Sequence, residues 1–415
     1  MMNEYNKTKA DLVVSLLEKN ILPDPDEVDA VVSHWLQSPM NTIPYLSPPV
    51  RKHCWEVLKS STSNSQRNSL AIQEQQACYQ TTFLINWEDT PFPPPQQPNF
   101  TFIDLFAGIG GFRIAMQELG GKCLFSSEWD VDAKKTYERN FGEVPFGDIR
   151  KINEDNIPDH DILCAGFPCQ PFSLAGVSAR NSRNIAHGFA CETQGTLFFD
   201  IARIVKEKRP KIVFLENVRN LIRHDGGKTF STIQNTIEKL GYSFSYKLID
   251  SSPLVPQRRV RCYMVCIRDD KKGFEFPEIE GTPLPLKSIL EKNVNDSFTI
   301  SEKLWAGHQR RTKRNIERGT GFTAFCADLD KPSKTIVARY GKDGKECLIP
   351  QVGKPPRMLT LKECARLQGF PEIFIMPVAK TKAYRQFGNS VAVPVIRKIS
   401  EQIHSLLKEN IGGKR

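Results

Sequence analysis

The sequence predicts an α/β fold with a mostly parallel sheet, and three observations support this prediction. Short apolar runs recur from residue 100 onwards, helix-like stretches separate them, and glycine or polar residues follow their ends. Such alternation is typical of parallel strands covered by helices on both faces, with ligand sites at the carboxyl ends of the strands. The predicted strands are Phe102 to Phe106, Cys123 to Ser126, Asp161 to Ala165, Ile212 to Leu215 and Tyr263 to Ile267.

Composition divides the chain into five segments. Residues 1–90 show helical periodicity and form an N-terminal extension, and the proline-rich residues 91–99 form an extended linker. Residues 100–267 carry the alternating pattern. Residues 268–356 are rich in proline and glycine and predict a smaller, irregular domain. Helical periodicity returns in residues 357–415, which are expected to pack back on the sheet.

Charge and hydropathy narrow the class of protein. The 415 residues carry a formal net charge of +10, which favours a polyanionic partner where the charge is clustered, as it is from Arg310 to Arg318. A solvated basic surface is the alternative. No apolar run is long enough to span a bilayer and the first residues lack a signal-peptide core, so a cytoplasmic protein is expected. The 11 cysteines include no Cys-x-x-Cys pair, which predicts free thiols and no metal site.

One cysteine stands where a strand is predicted to end. The run Asp161 to Gly166 is followed by Pro168-Cys169-Gln170-Pro171-Phe172-Ser173. For a cysteine taken at random, an inert buried side chain is the ordinary interpretation. A stiff loop with prolines on both sides of Cys169, directly after a strand, favours an exposed and oriented nucleophile instead.

The first three strand ends predict a site for an adenosine-containing cofactor. Glycines between the first strand and the next helix, at Gly108, Gly110 and Gly111, let a ligand approach the backbone closely. Their spacing is not that of a dinucleotide fingerprint. Glu128 ends the second strand, where a carboxylate can bind ribose hydroxyls, and Asp148 supplies a further acceptor. These features do not distinguish S-adenosylmethionine from a nicotinamide.

Two further elements carry charged groups beside strands. Glu216 directly follows an apolar strand, where burial would raise the pKa of its carboxyl and let it donate a proton; capping the next helix is an equal alternative. Arg259 and Arg261 alternate before the last strand and would share one face. They form either a charged strand edge or a clamp on a phosphate or a carbonyl-bearing base.

Taken together, these segments resemble the cytosine-C5 DNA methyltransferases, and particularly their Dcm-like branch. The ordered set covers roughly residues 100 to 400 and is far more specific than any single motif. The matching segments are Asp104 to Gly111, Glu128 to Asp130, Gly147 to Ile149, Pro168 to Ser173, Gly195 to Phe199, Glu216 to Val218, Gln257 to Arg261, Arg366 to Pro371 and Gln386 to Val391.

The resemblance implies a fold and a chemistry. The fold is the Rossmann-like mixed sheet of S-adenosylmethionine-dependent methyltransferases, with residues 100–267 as catalytic and cofactor domain and 268–356 as DNA-recognition domain. Cys169, as thiolate, adds to C6 of a cytosine flipped out of the duplex, and Glu216 protonates or hydrogen-bonds N3. Arg259 holds O2 of the base, with Arg261 in the same catalytic motif. No metal is required.

The resemblance also assigns the cofactor and substrate residues. Glu128 would bind ribose, Trp129 would stack on adenine and Asp148 would accept from the adenine amino group. Gln257 is assigned to the substrate, and Arg339, in a segment resembling those that read CCWGG-like sites, is expected to read guanine. The remaining positions expected around S-adenosyl-L-methionine are Phe106, Gly108, Ile109, Gly110, Ile149, Asn389 and Val391.

The implied partner is double-stranded DNA, bound by a monomeric, nucleoid-associated bacterial enzyme without a membrane partner. Its role is host protection beside a restriction endonuclease that is a genetic partner only, or that of an orphan methylase.

Three alternatives remain open: a transfer-RNA methylase of the same family, a nicotinamide-dependent oxidoreductase with a reactive cysteine, and a catalytically silent DNA-binding module. The oxidoreductase leaves residues 257–261 unexplained, and intact Cys169 and Glu216 oppose the silent module.

Overall fold

The computed structural model describes residues 4–19, 27–37, 48–61, 90–168, 197–270, 272–319 and 323–412. The chain forms two compact units. Unit 1 comprises Met1–Ala107, Gly120–Lys247 and Cys262–Glu275, and unit 2 comprises Gly108–Leu119, Leu248–Arg261 and Phe276–Arg415. Within the described residues, no helix is both long and apolar enough to cross a membrane.

A six-stranded sheet organises the α/β part of the chain, in the order β2-β1-β3-β4-β7-β5. Strands β2, β1, β3 and β4 pair in parallel, while an antiparallel bridge joins Tyr242 to Arg268 at the other side, so the sheet is mixed. The strands are β1 (Phe100–Leu105), β2 (Gly121–Ser127), β3 (Ile162–Gly166), β4 (Ile212–Val218), β5 (Ser245–Asp250), β6 (Gln257–Arg258), β7 (Val260–Ile267), β8 (Ser333–Lys334), β9 (Ile349–Gln351) and β10 (Lys354–Arg357).

The helices alternate with the strands of the sheet, as the sequence predicts, and the α/β prediction is confirmed. Every predicted strand is present with ends within three residues of those expected. The helices are α1 (Glu4–Lys19), α2 (Val28–Gln37), α3 (Pro48–Ser61), α4 (Gly111–Glu118), α5 (Val131–Phe141), α6 (Leu197–Lys208), α7 (Lys228–Lys239), α8 (Glu302–Glu317), α9 (Tyr340–Asp343), α10 (Leu361–Gln368), α11 (Lys380–Asn389) and α12 (Val393–Gly412).

Unit 1 has one hydrophobic core that reaches from the sheet to the N-terminal helices. Apolar side chains of α1 and α2, such as Leu16 and Trp35, belong to the same buried cluster as Phe125 and Leu163 of the sheet. Helix α2 is buried at every residue except Asp29, which explains its apolar character. Helices α1 to α3 therefore fold as part of the body that carries the sheet.

Unit 2 contains short strands and helices held by polar contacts. The buried Arg357 guanidinium donates to both carboxylate oxygens of Glu363, at 2.7 and 2.8 Å. The same Glu363 closes a capping box with Thr360 at the start of α10. Helix α12 packs against α4, which follows the glycine turn. Residues 276–356, most of the segment 268–356 predicted as a smaller domain, fall within this unit, and their basic run lies on α8.

Candidate active site

The backbone after β1 forms a tight left-handed turn. Phe106 has a φ of 56°, a conformation that costs a bulky residue on the order of 1 kcal/mol or more. Gly108 and Gly110 have φ of 56° and 83°, where glycine is favoured, and Gly110 caps the start of α4. Ile109 between them is buried. The predicted glycine turn thus exposes backbone between a strand end and a helix start.

The end of β2 presents a carboxylate and an aromatic ring. Glu128 is almost fully buried, donates its N–H to the Phe146 carbonyl (2.8 Å) and accepts at Oε1 from the N–H of Asp130 (2.8 Å). Trp129 is 68% exposed, which is unusual for so large an apolar side chain. Asp130 caps α5 through its Oδ1, which accepts from Ala133 N–H.

Asp148 comes two residues after Phe146, which bridges to Ser127 of β2. Its carboxylate accepts from the Arg150 guanidinium, with Nε 2.8 Å from Oδ1, and it caps a short 3-10 turn through the Arg150 N–H. The hydrogen bond to Arg150 lowers the pKa of the Asp148 carboxyl below its usual value. Asp148 is therefore an ionised acceptor at neutral pH. The neighbouring Ile149 is buried.

These side chains of unit 1 share one edge of the sheet. Leu105 pairs with Ser127, and Ser127 bridges to Phe146, so three parallel segments end side by side. Phe106 and Glu128 directly follow the first two ends, and Asp148 follows the third by two residues. The structure therefore brings together five of the predicted cofactor residues: Phe106, Glu128, Trp129, Asp148 and Ile149.

The ends of β3 and β4 place a carboxyl beside the segment that leads to the predicted nucleophile. Gly166 pairs with Glu216, which is 8% exposed. Asn217, also buried, donates from Nδ2 to the Phe167 carbonyl at 3.0 Å. This fixes β4 to the chain two residues before Cys169, which itself lies outside the described residues. Asn217 belongs to the sequence motif Glu216 to Val218. Nothing in the sequence indicates that its side chain contacts the Phe167 carbonyl.

Four buried cysteines among the described residues do not resemble nucleophiles. Burial raises the pKa of the Cys54 and Cys262 thiols to about 12, and it raises the pKa of Cys164 and Cys364 well above the usual value. The negative charge of Glu216 adds to the effect at Cys262. A thiol with a raised pKa is a poor source of thiolate. Cys54, Cys164, Cys262 and Cys364 are therefore poor candidates for the nucleophile. They offer no alternative to the prediction for Cys169.

The two arginines after β6 lie in different surroundings, both within unit 2. Arg259 is 2% exposed, and its guanidinium donates to the carbonyls of Ile336 (3.3 Å), Gly388 (3.3 Å) and Ser390 (2.5 Å). Arg261 is half-buried and donates from one terminal nitrogen to its neighbour's carbonyl, at 3.0 Å. The sequence predicts that these two arginines share one face of an extended strand. In the structure their surroundings differ.

Gln257, like Arg259, contacts Ile336 and the C-terminal segment, all within unit 2. The Gln257 side chain accepts from Ile336 N–H (2.8 Å) and donates to the Leu367 carbonyl (3.2 Å). Val391 lies against the start of α4, because a Cβ built on Gly111 would fall 2.6 Å from its Cγ2. Asn389 is the last residue of α11. The predicted residue Val391 thus approaches the helix that follows the glycine turn.

Arg339 directly precedes the short helix α9, which is held by a buried residue. Its side chain is 52% exposed and lies 4.0 Å from Asp343. The next residue, Tyr340, is fully buried, donates its hydroxyl to the Cys347 carbonyl and accepts from Leu359 N–H, both at 2.8 Å. The segment therefore has a fixed base and an exposed cationic side chain. No cluster of His, Cys, Asp and Glu suited to a metal ion occurs among the residues that the structure describes.

The mixed sheet, with a glycine turn and acidic residues at its strand ends, has the α/β architecture of the S-adenosylmethionine-dependent methyltransferases. The C-5 cytosine-specific DNA methylase family matches residues 100–405, and the chain belongs to that family. The predictions of family and of DNA cytosine methylation are confirmed.

Relatives and solved structures agree with this assignment. The type II methyltransferase M.SsoII of Shigella sonnei is 48% identical over 332 residues, which cover 78% of this chain and 85% of that protein. The DNA-cytosine methyltransferase of Escherichia coli K12 is 40% identical over 383 residues, covering 77% and 81%. The fold is similar to that of S. pombe Dnmt2 methyltransferase, with a TM-score of 0.59, 18% identity, and 75% of this chain and 100% of that chain covered.

Proposed function

We propose that this DNA cytosine methyltransferase transfers a methyl group from S-adenosylmethionine to C5 of a flipped-out cytosine in a short duplex site, through a covalent adduct of Cys169. The reaction is that of the DNA (cytosine-5-)-methyltransferases. One observation carries the proposal most: the β3–β4 register sets Glu216 beside Gly166, three residues before Cys169 in the chain. A general acid and a nucleophile would thus come from adjacent strand ends.

The residues present fit S-adenosylmethionine. Gly108 and Gly110 adopt left-handed backbone and carry no side chain that would keep a ligand from the main chain before α4. In unit 1, the Glu128 carboxylate directly follows the end of β2. Exposed Trp129 offers a face for adenine, and ionised Asp148 offers an acceptor for its amino group. The other proposed contacts are Phe106, Ile109, Ile149, Asn389 and Val391.

The chain's own groups would activate the cytosine. C5 is a poor nucleophile, so the Cys169 thiolate adds to C6, and Glu216 protonates or hydrogen-bonds N3 to stabilise the charge that this addition pushes into the ring. S-adenosylmethionine, when bound, supplies the electrophilic methyl group that C5 accepts. A base or water then removes the C5 proton, the C5–C6 double bond re-forms, and the C6–S bond breaks to release the Cys169 thiolate.

The arginines are assigned different tasks. The resemblance assigns the cytosine O2 to Arg259, and we propose a different division of roles between Arg259 and Arg261. Its bonds to three backbone carbonyls support a positioning role, whereas Arg261 has the more accessible guanidinium. We therefore assign the contact with O2 to Arg261 and the support of the surrounding segments to Arg259.

Recognition of duplex DNA is assigned to residues 268–356. Arg339 is exposed at the start of the anchored helix α9, as a guanine-reading side chain would be, and Gln257 contacts Ile336 in the segment that precedes it. The basic residues of α8 would contact phosphates. Because several relatives are named type II methyltransferases, we propose the same restriction-modification context for this protein. We further propose that it is monomeric and has a cytoplasmic, nucleoid-associated location.

Transfer of labelled methyl from S-adenosylmethionine to duplex DNA of varied sequence, followed by bisulfite sequencing, tests the proposal. We expect C5 methylation at one short motif, abolished in Cys169→Ser and retained in the matched control Cys326→Ser, whose cysteine is exposed and belongs to none of the segments that carry the proposed catalytic and cofactor residues. Incorporation into transfer RNA alone would overturn the substrate while keeping the chemistry. Failure of both substrates would overturn the activity.

A further inference from the structure

Helix α2 and the residue before it contact the backbone of residues 141–147, which we call the cofactor-edge segment. These contacts lie within unit 1 and join the N-terminal extension, which precedes the family match at residue 100, to the sheet edge. Each one pairs a side chain of the extension with a main-chain group that belongs to no regular strand. The pairs are Gln37 Nε2 donating to Phe141 O (2.8 Å), Val144 N donating to Ser33 Oγ (2.9 Å) and Gly147 N donating to Glu27 Oε1 (3.0 Å) and Oε2 (3.2 Å).

The cofactor-edge segment leads directly into Asp148. Its Phe146 accepts from the Glu128 N–H at 2.8 Å, and its Gly147 carbonyl accepts from the Ser127 hydroxyl at 2.8 Å. The main chain of Glu128, proposed to bind ribose, is therefore bonded to the segment that places Asp148, proposed to bind adenine. A displacement of the segment would move both groups.

Glu27 makes the charged contact of this set. Its carboxylate receives the Gly147 N–H one residue before Asp148, and hydrogen bonds to charged acceptors are stronger than neutral ones. Gly147 permits the approach, since a Cβ built on it would lie 2.7 Å from Glu27 Oε1. A side chain at position 147 and the Glu27 carboxylate compete for the same space.

We propose that Glu27 is a positioning residue for the cofactor site, and that the N-terminal extension is thereby a working part of the methyltransferase. The inference rests on the proposed function, because it takes Glu128 and Asp148 to be the ligands of S-adenosylmethionine. Glu27 acts through the backbone of Gly147 and does not touch the cofactor.

Equilibrium binding of S-adenosylmethionine to the full-length protein, by titration calorimetry, tests this role. Glu27→Ala is expected to raise Kd about tenfold, equal to about 1.4 kcal/mol, whereas Glu27→Gln keeps an acceptor oxygen and recovers part of the loss. KM for S-adenosylmethionine should rise in proportion, with kcat at saturation unchanged. The matched control is Ser15→Ala, which removes the 2.8 Å contact between Ser15 and His53 inside the extension and should leave Kd within twofold.

Hydrogen exchange in the cofactor-free protein gives an independent readout. The amides of Val144 and Gly147 should exchange faster in Glu27→Ala and as in wild type in Ser15→Ala. Gly147→Ala should displace the Glu27 carboxylate, so its effect on Kd and that of Glu27→Ala should be less than additive in the double variant.

The outcomes separate the two proposals. If wild type binds S-adenosylmethionine and Glu27→Ala binds it equally well, the inference is overturned while the proposed function stands. Additive effects in the double variant would also overturn it. If wild type does not bind, the proposed function falls, and the inference falls with it.

Discussion

Replacing Arg259 or Arg261 by methionine should separate support of the fold from catalysis. Methionine keeps much of the apolar stem and removes the charged head, so the packing of the stem is largely retained. Arg259→Met removes the guanidinium that donates to the carbonyls of Ile336, Gly388 and Ser390, whereas Arg261→Met removes a half-buried guanidinium that donates to the Val260 carbonyl. The two variants make the same chemical change at positions two residues apart, one buried and the other half-buried.

The contacts set the expected size of the effect. Each hydrogen bond from a charged donor contributes roughly 1.5–3 kcal/mol, and buried acceptors left without a partner carry a further cost. Two of the three bonds to Arg259 are long, at 3.3 Å, so we expect the free energy of unfolding of unit 2 to fall by about 3–5 kcal/mol. For Arg261→Met we expect a loss of under about 1 kcal/mol.

Urea unfolding and single-turnover methyl transfer measure the two effects. Arg259→Met should lower the unfolding midpoint and speed hydrogen exchange near residues 336–338 and 388–391, since these carbonyls tie distant segments together. Arg261→Met should keep the midpoint and lose methyl transfer. An Arg259→Met protein of wild-type stability with methyl transfer abolished would refute the assignment and favour a direct contact between Arg259 and the base.

Further changes follow from other contacts. Gly388→Ala should destabilise unit 2 by several kcal/mol, because its Cβ would lie 2.2 Å from the Val337 carbonyl carbon. Gly307→Ala, at a position with open space around it, should stabilise α8 by about 0.5–1 kcal/mol. Thermal unfolding of the two variants measures both effects. Asn217→Asp should cost about 1–3 kcal/mol and slow single-turnover transfer, since a carboxylate cannot donate to the carbonyl at the end of β3; an unchanged rate would contradict this. Burial lowers the pKa of His160 to about 4, so as pH falls below 6.5 the unfolded chain binds the proton first and stability is lost until about pH 4. At pH 5 this loss is about 2 kcal/mol, and it should vanish in His160→Gln when urea midpoints at pH 7.5 and 5 are compared.

The strands and the glycine turn could be predicted because their signals are local. Apolar runs define β1 to β4, and glycines mark the left-handed turn after β1. Strand β5 was not predicted, because it lies at the edge of the sheet, Ile249 is its one buried residue, and its other residues are exposed or half-buried, so that it carries little apolar signal. The local pattern therefore predicts central strands better than edge strands.

The site was predictable in its residue types and less so in their roles. Three strand ends in register suggest a cofactor edge, and the observed pairing of β1, β2 and Phe146 supplies that register. The surroundings of Arg259 could not be predicted, since its acceptors lie 77 to 131 residues away in the sequence. Two arginines at alternate positions look equivalent in a sequence, and only tertiary contacts distinguish them.

The N-terminal extension shows the same limit at the scale of a domain. Residues 1–90 carry no catalytic motif, and the family match begins at residue 100, so the sequence favours a separate appendage. The core of unit 1 nevertheless includes Leu16 and Trp35, and Glu27 bonds to the backbone one residue before Asp148. A helix that loses its buried face would expose apolar surface of the sheet, so removal of residues 1–90 should destabilise unit 1 as well as weaken cofactor binding. Substitution of Glu27 alone is therefore the sharper test of what the extension does for the site.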